Sequence, residues 1–134
     1  MMDTAHAHVV ALPATGRETF GVIERGWPAG TNAPTERGQI LYLSDSGEYA
    51  CGVWEGEPGV IPLASYPVHE FCTILSGQVT LVAADGTRRT FERGMSFVVP
   101  LGFSGTWEMP HGCKKHFAAY GSRQAVARLC GMAP

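Results

Sequence analysis

Two side chains that can take part in chemistry, Glu70 and Cys72, stand two residues apart in the apolar run EFCTILS. Successive side chains of a strand point to opposite faces, so these two would share one face and His69 would lie on the other. Burial raises the pKa of a carboxylic acid and can tune it for general acid or base work near neutral pH. A thiol becomes a nucleophile only beside a base. Glu70 is therefore the candidate catalytic residue, and Cys72 is predicted to pack or to contact a ligand.

Residue types that bind metals are present, but their spacing predicts no metal site. The four cysteines form no CxxC pair, because Cys51, Cys72, Cys113 and Cys130 lie 21, 41 and 17 residues apart. In a reducing compartment we expect them to be packed thiols. His6 and His8 could chelate a metal only adventitiously, in an N-terminal segment that we expect to fray.

The elements that must position these side chains are short extended runs. From Gln39 onward the runs are QILYLS, EYACGVWE, VIPLAS, EFCTILS, QVTLVA, TRRTF, SFVV, GTWEM and KKHFAAY, and turn residues separate them. Eight or more strands at about ten-residue spacing predict an antiparallel sandwich or barrel. Asp85-Gly86 predicts a tight hairpin between two of them. Val126, Leu129 and Cys130 stand at helical spacing, which predicts a short C-terminal helix or an arm.

The composition fits one all-β domain. The 134 residues include 17 Gly and 9 Pro, and only 16% are charged, which suits buried strands joined by tight turns. A net charge of −2 without a Lys/Arg block argues against nucleic-acid binding. No apolar run reaches the roughly 20 residues that span a bilayer, and no targeting signal is evident, so the cytoplasm is the expected location. We expect an N-terminal arm and loop over 1–38, the domain over 39–120, and a tail over 121–134 that packs on or swaps with the barrel.

Two spaced motifs resemble the cupin signatures. In Gly59-VIPLASYPVH-Glu70-FCTILS-Gly77 six residues separate the Glu from the Gly, and Gly94-MSFVV-Pro100-Leu-Gly102 has the spacing of the second signature. The resemblance implies a single-domain jelly-roll barrel, the double-stranded β-helix of cupins. Over residues 40–118 the chain is most similar to the short branch that includes the cupin domain of ureidoglycine aminohydrolase, through segments such as Gly52-Val-Trp54-Glu55 and Lys114-Lys115-His116-Phe117.

The resemblance implies a metal site that this sequence does not preserve. Metal-dependent cupins bind their ion with two His and a Glu from the first signature and a third His from the second. The three histidine positions hold no histidine here: they fall on Leu63 and Ser65, or on Ala64 and Tyr66 with a one-residue difference in the turn, and on Gly105. Open catalytic sites usually have three or more protein ligands, and only Glu70 is retained. We predict no cofactor; a divalent ion bound by Glu70 with Cys72 or His69 is the alternative.

The same resemblance implies that the face of the strand that holds Glu70 points into the barrel lumen. It also implies that position 105 points inward, where a glycine would leave room for a ligand. Trp107, on the same face, would offer a ring against which the ligand could stack. Lys115 occupies a position that is basic in the branch, so it could neutralise Glu70 or form a Schiff base with a carbonyl ligand. The predicted site thus has Glu70 as acid or base and these ligand contacts: Tyr66, Cys72, Gly105, Trp107 and Lys115.

Three functions are compatible with this site. The first is metal-independent binding of a small polar metabolite in the lumen, with isomerase, epimerase or lyase chemistry in which Glu70 is the acid or base. The second is a non-catalytic ligand-binding or sensing module, because no second acid, base or nucleophile stands out. The third is a metal-dependent enzyme with atypical ligands. The edge strands of a jelly roll also predict a homodimer.

Overall fold

The computed structural model describes residues 7–13 and 21–132, which form nine strands and one helix. The elements are β1 (Gly21–Val22), β2 (Glu36–Leu43), β3 (Tyr49–Gly56), β4 (Gly59–Leu63), β5 (His69–Ala83), β6 (Arg88–Glu92), β7 (Ser96–Val99), β8 (Gly105–Met109), β9 (Cys113–Tyr120) and α1 (Arg123–Leu129). Every pairing between these strands is antiparallel. The predicted all-β jelly roll with a short C-terminal helix is confirmed.

The strands form two sheets that share β5. The first sheet has the order β1-β2-β3-β9-β5-β7, and the second has the order β6-β5-β8-β4. Residues 69–77 of β5 pair in the first sheet, and residues 78–83 pair in the second. Because one strand belongs to both sheets, the two sheets curl around a common interior.

Gly77 lies within this shared strand, although the sequence pattern predicted a turn between two strands there. Its φ is +74°, and a Cβ at this position would lie 2.3 Å from the carbonyl oxygen of Gly112. A glycine therefore lets β5 bend and lets the start of β9 approach its backbone. The Asp85-Gly86 hairpin forms as predicted, and the Ala83 N–H donates to the Thr87 carbonyl oxygen at 2.9 Å.

The strands of the barrel begin earlier in the chain than residue 39, where the sequence pattern predicted the domain to begin. β1 and the first residues of β2 fall in the stretch that was predicted to be a loop. Pro13 contacts the outside of the first sheet, where His116 Nε2–H donates to the Pro13 carbonyl oxygen at 2.7 Å. The predicted adventitious chelate with His8 requires His6, which lies outside the described residues.

Helix α1 packs on the barrel. Ser122 is its N-cap, and the Ala125 N–H donates to Ser122 Oγ at 3.2 Å. Ala125 and Val126 are buried, so the helix covers part of the core. Within the described ranges no helix is long and apolar enough to cross a membrane.

Alternation decides which side chains fill the barrel. β5 buries Glu70, Cys72 and Ile74 on its inner face, as predicted, whereas Phe71 on the outer face is 50% exposed. The inner faces of both sheets meet in one core, which includes Trp54, Ile61, Val79, Val99, Trp107, Met109 and Phe117. Each large apolar side chain buried in this way stabilises the fold by about 1.5 to 3 kcal/mol.

Candidate ligand-binding site

A cavity of about 600 Å³ opens into the barrel lumen. Strand residues form its floor and walls, while the arm around Arg25 and the end of α1 form its mouth. The walls are mainly apolar and include Ile40, Ile61, Leu63, Trp54, Trp107 and Phe117. A volume of this size fits a small organic molecule.

A buried ion pair lies at the floor of this cavity. Lys115 Nζ lies 2.5 Å from Glu70 Oε2, and the two residues are only 5% and 2% exposed. The Tyr66 hydroxyl donates to Glu70 Oε1, and Cys72 Sγ donates to Oε2 at 3.2 Å. Both carboxylate oxygens therefore accept hydrogen bonds, as a buried charge requires.

Two tryptophans enclose the Lys115 ammonium. Lys115 Nζ lies 4.8 Å from the ring centroid of Trp54 and 4.3 Å from that of Trp107. The two rings meet edge to face, with centroids 5.5 Å apart and an interplanar angle of 82°. The negative faces of the rings thus attract the ammonium on the sides that Glu70 does not cover.

The pKa of Glu70 is lowered, contrary to the expectation from burial alone. Burial raises the pKa of this carboxyl, but the charge of Lys115 and the hydrogen bonds from Lys115, Tyr66 and Cys72 outweigh it. The sequence predicted a desolvated carboxyl. It could not predict the number of hydrogen-bond donors around that carboxyl, because they depend on the tertiary fold. Glu70 is therefore an anion at neutral pH.

The neighbours of Glu70 are also held far from titration at neutral pH. Burial lowers the pKa of Lys115, but the nearby Cys72 and Glu70 raise it above its ordinary value overall. Burial and the Glu70 charge raise the pKa of Tyr66 and of Cys72. A Schiff base needs a neutral amine, so the ion pair disfavours that role for Lys115.

A second buried polar chain lies at the mouth, and sequence reasoning missed it. Arg25 Nη2 donates to Glu36 Oε1 at 2.8 Å, and Trp54 Nε1 donates to the same oxygen at 3.0 Å. Arg25 Nη1 also donates to the carbonyl oxygens of Leu129, at 2.5 Å, and Arg128, at 3.4 Å. These residues are far apart in sequence and belong to no motif, so only the tertiary fold reveals the contact.

Four of the predicted site residues, Tyr66, Glu70, Trp107 and Lys115, line the cavity together. Cys72 is fully buried beside Glu70 and does not reach the cavity.

Gly105 does not line the cavity either, which corrects the expectation of free space there. A Cβ at position 105 would lie 2.0 Å from the Val82 carbonyl oxygen and 3.0 Å from Phe103 Cζ. The glycine permits the close approach of β8 to β5, where Ala83 is its pairing partner.

The donors in the lumen do not fit a metal ion. Among residues 7–13 and 21–132, no three His, Cys, Asp or Glu side chains form a group that could hold one. The Glu70 carboxylate is already bonded by the Lys115 ammonium. His69 is exposed on the other face of β5, and its Nδ1 accepts a hydrogen bond from the Leu101 N–H at 3.3 Å. His69 and Glu70 thus lie on opposite faces of β5.

Solved structures of low sequence identity share this fold. A DUF861-family protein of unknown function from Pseudomonas syringae pv. tomato matches with a TM-score of 0.69 and 21% identity, over 81% of this chain and 46% of that chain. This chain thus spans less than half of that protein. EutQ from Clostridium difficile matches with a TM-score of 0.61 and 14% identity, over 75% and 80%.

A third similar structure is a putative ethanolamine utilization protein Q from Salmonella typhimurium, with a TM-score of 0.57 and 17% identity over 65% of this chain and 70% of that chain. Comparison of the sequence with curated proteins finds no match. The model of the EutQ-like cupin domain matches residues 43–117, which is more than half of the chain. The chain therefore belongs to the EutQ-like cupin family.

Proposed function

We propose that this protein is a metal-independent binding module that takes a small molecule into its barrel lumen and does not convert it at neutral pH. The Glu70–Lys115 pair at the floor of the 600 Å³ cavity is the observation that carries the proposal. A pair whose two carboxylate oxygens already accept hydrogen bonds offers a fixed polar point for orienting a ligand and no group ready to exchange a proton.

The charge states of the floor support binding over catalysis. A general acid or base works best with a pKa near the operating pH. Here the pKa of Glu70 is lowered, and the pKa values of Lys115, Tyr66 and Cys72 are raised. Proton transfer by any of them at neutral pH would first require a ligand to break the ion pair.

A metabolite screen with two readouts tests the proposal. Compounds that bind the native state should raise the melting temperature in proportion to the logarithm of their concentration. Mass spectrometry of the same samples should find each compound unchanged. Formation of a product from any stabilising compound would contradict the binding function.

Proton-transfer catalysis with Glu70 as acid or base is the second candidate, in an isomerase, epimerase or lyase. Glu70 and the Tyr66 hydroxyl both line the cavity, so one substrate could contact a carboxylate and a phenol together. If this function is correct, Glu70→Gln abolishes product formation while Ser65→Ala, at the cavity wall, retains it. Equal turnover by both variants would reject the candidate.

Three further features belong to the proposal. Four unpaired cysteines support a cytoplasmic location, since oxidising compartments favour disulfides. A homodimer is supported by an apolar patch on the outer face of the first sheet, where Phe71 and Val98 are exposed. The resemblance to ureidoglycine aminohydrolase supports no hydrolytic activity, because the lumen lacks the donors that its metal site would need.

A further inference from the structure

The cavity is lined by three basic residues and two acidic residues. Two acidic residues are paired, Glu70 with Lys115 at 2.5 Å and Glu36 with Arg25 at 2.8 Å. Arg128 also lines the cavity, and its side chain makes no hydrogen bond or ion pair among the described residues. One cationic group at the mouth is therefore left without a counter-charge.

The backbone that carries this cation is fixed in place. Arg128 stands in the last turn of α1, where carbonyl groups have no partner within the helix. Arg25 Nη1 donates to the carbonyl oxygens of Arg128 and Leu129 and so neutralises this negative end of the helix. The helix terminus therefore already has a cation in Arg25, and the exposed Arg128 guanidinium has no partner among the described residues.

The floor has little capacity for a charged ligand group. The Lys115 ammonium contacts Glu70, Cys72 and the faces of two tryptophans. The Tyr66 hydroxyl donates to Glu70, so it can only accept a hydrogen bond from a ligand. Between floor and mouth the walls are mainly apolar. A ligand that fits would have its charge at the mouth and an apolar body in the lumen.

We propose that the ligand is a small carboxylic acid with an aryl or alkyl body, whose carboxylate pairs with the Arg128 guanidinium while the body fills the lumen. This proposal rests on the proposed function, because it presumes that the lumen binds a small molecule. A guanidinium can bind a carboxylate through two parallel hydrogen bonds, which makes Arg128 the specificity-determining residue.

The test compares carboxylates with their neutral primary amides. The probes are 3-phenylpropionate, indole-3-acetate and octanoate, each beside its own amide, measured by isothermal titration calorimetry. Wild type should bind the acids about tenfold more tightly than the amides, a preference typical of a charge-assisted contact. Arg128→Gln should remove this preference and leave amide binding unchanged.

Arg123→Gln is the matched control, because it removes the same charge from the same helix. Arg123 contacts Gly47 and does not line the cavity, so this variant should keep the preference for acids. Equal binding of acids and amides by wild type, or an equal loss in both variants, would overturn the carboxylate proposal and leave lumen binding intact. If none of the six probes binds, the proposal and the open lumen behind it both fail.

Discussion

Lys115 and Glu70 place two opposite charges in the same apolar interior, where neither is stable alone. Removing one partner of a buried pair leaves an unpaired charge, whereas removing both charges leaves a neutral contact. Tyr66 donates to Oε1 and Cys72 to Oε2 of Glu70, so in Glu70→Gln one of the two would still donate to the amide oxygen, and the amide NH2 would take the other position. Comparing a variant that lacks one charge with a variant that lacks both therefore measures how much the unpaired charge destabilises the fold.

We expect Lys115→Met to destabilise the fold by about 3 to 5 kcal/mol, because it strands the Glu70 carboxylate. The double variant Lys115→Met with Glu70→Gln should recover most of this loss. Urea denaturation of wild type and the variants measures the free energy of unfolding. Equal stability of the single and the double variant would mean that the Glu70 carboxyl is not destabilising without Lys115, which would contradict this prediction.

The ion pair also sets a pH window for stability. The lowered pKa of Glu70 gives stability that is complete above its unfolded pKa of about 4.3 and is lost as pH falls through the native pKa. The raised pKa of Lys115 gives stability that is complete below about 10.4 and is lost as pH rises through the native pKa. Between these limits the contribution of the pair is constant.

Melting temperatures between pH 2.5 and 7 test the acid side of this window. Below about pH 4, wild type should lose stability more steeply than the neutral double variant, which has no Glu70 carboxylate to protonate. Other acidic groups are common to both proteins and cancel in the difference. Parallel curves would show that the Glu70 pKa is the same in the folded and unfolded chains.

Part of this site could be predicted from the sequence. Alternation placed Glu70 and Cys72 on one buried face, and the resemblance to cupins turned that face inward. The charge state of Glu70 could not be predicted, because it depends on donors from separate segments at Tyr66 and Lys115. The ion pair of Arg25 and Glu36 was not predicted for the same reason, since it depends on where the N-terminal arm crosses the barrel mouth.

At the scale of elements, turn signals predicted most of the strands, but the turn predicted at Gly77 is not formed, because β5 runs through it. A glycine with positive φ can close a turn or bend a continuous strand, and local composition does not distinguish these cases. Asp85-Gly86 adds an Asp whose Oδ1 accepts from the Thr87 N–H at 2.9 Å, which fixes a turn. At Gly77 the approach of Gly112 decides the outcome, and that contact is not local.

Gly77→Ala should therefore cost much more stability than Gly86→Ala. Both glycines have positive φ, +74° and +89°, so both variants incur strain of about 1 kcal/mol. A methyl at 77 would also collide with the Gly112 carbonyl oxygen, whereas nothing lies within 4 Å of a Cβ at 86. We expect a loss of about 3 kcal/mol or more for Gly77→Ala in urea denaturation. Similar losses for the two variants would contradict the close approach.

At the scale of the whole molecule, an apolar row crosses the outside of the first sheet. Pairing registers align one residue from each of five strands: Tyr42, Cys51, Ala118, Phe71 and Val98. At about 4.8 Å per strand the row is about 20 Å long. Phe71 and Val98 are 50% and 58% exposed, and the next row adds Tyr49 and Tyr120, which are paired across β3 and β9.

We expect this outer face to be the contact of a homodimer. The row contains no charged side chain, so a two-fold axis through it would oppose no like charges. Exposed apolar surface of this extent commonly marks a protein contact. Light scattering at 10 µM should give the mass of a dimer for wild type and of a monomer for Val98→Arg. Val60→Arg, an exposed apolar position on β4 of the other sheet, should remain dimeric. A monomeric wild type would contradict this expectation.

The cavity lining also contains every tryptophan of the chain: Trp27 at the mouth, and Trp54 and Trp107 around Lys115. Indole emission depends on nearby charges and on water, and here both would change when a molecule enters the lumen. The tryptophan fluorescence of the unlabelled protein therefore originates entirely at the site. Occupancy can be followed optically in the native chain, without a dye and without a known reaction.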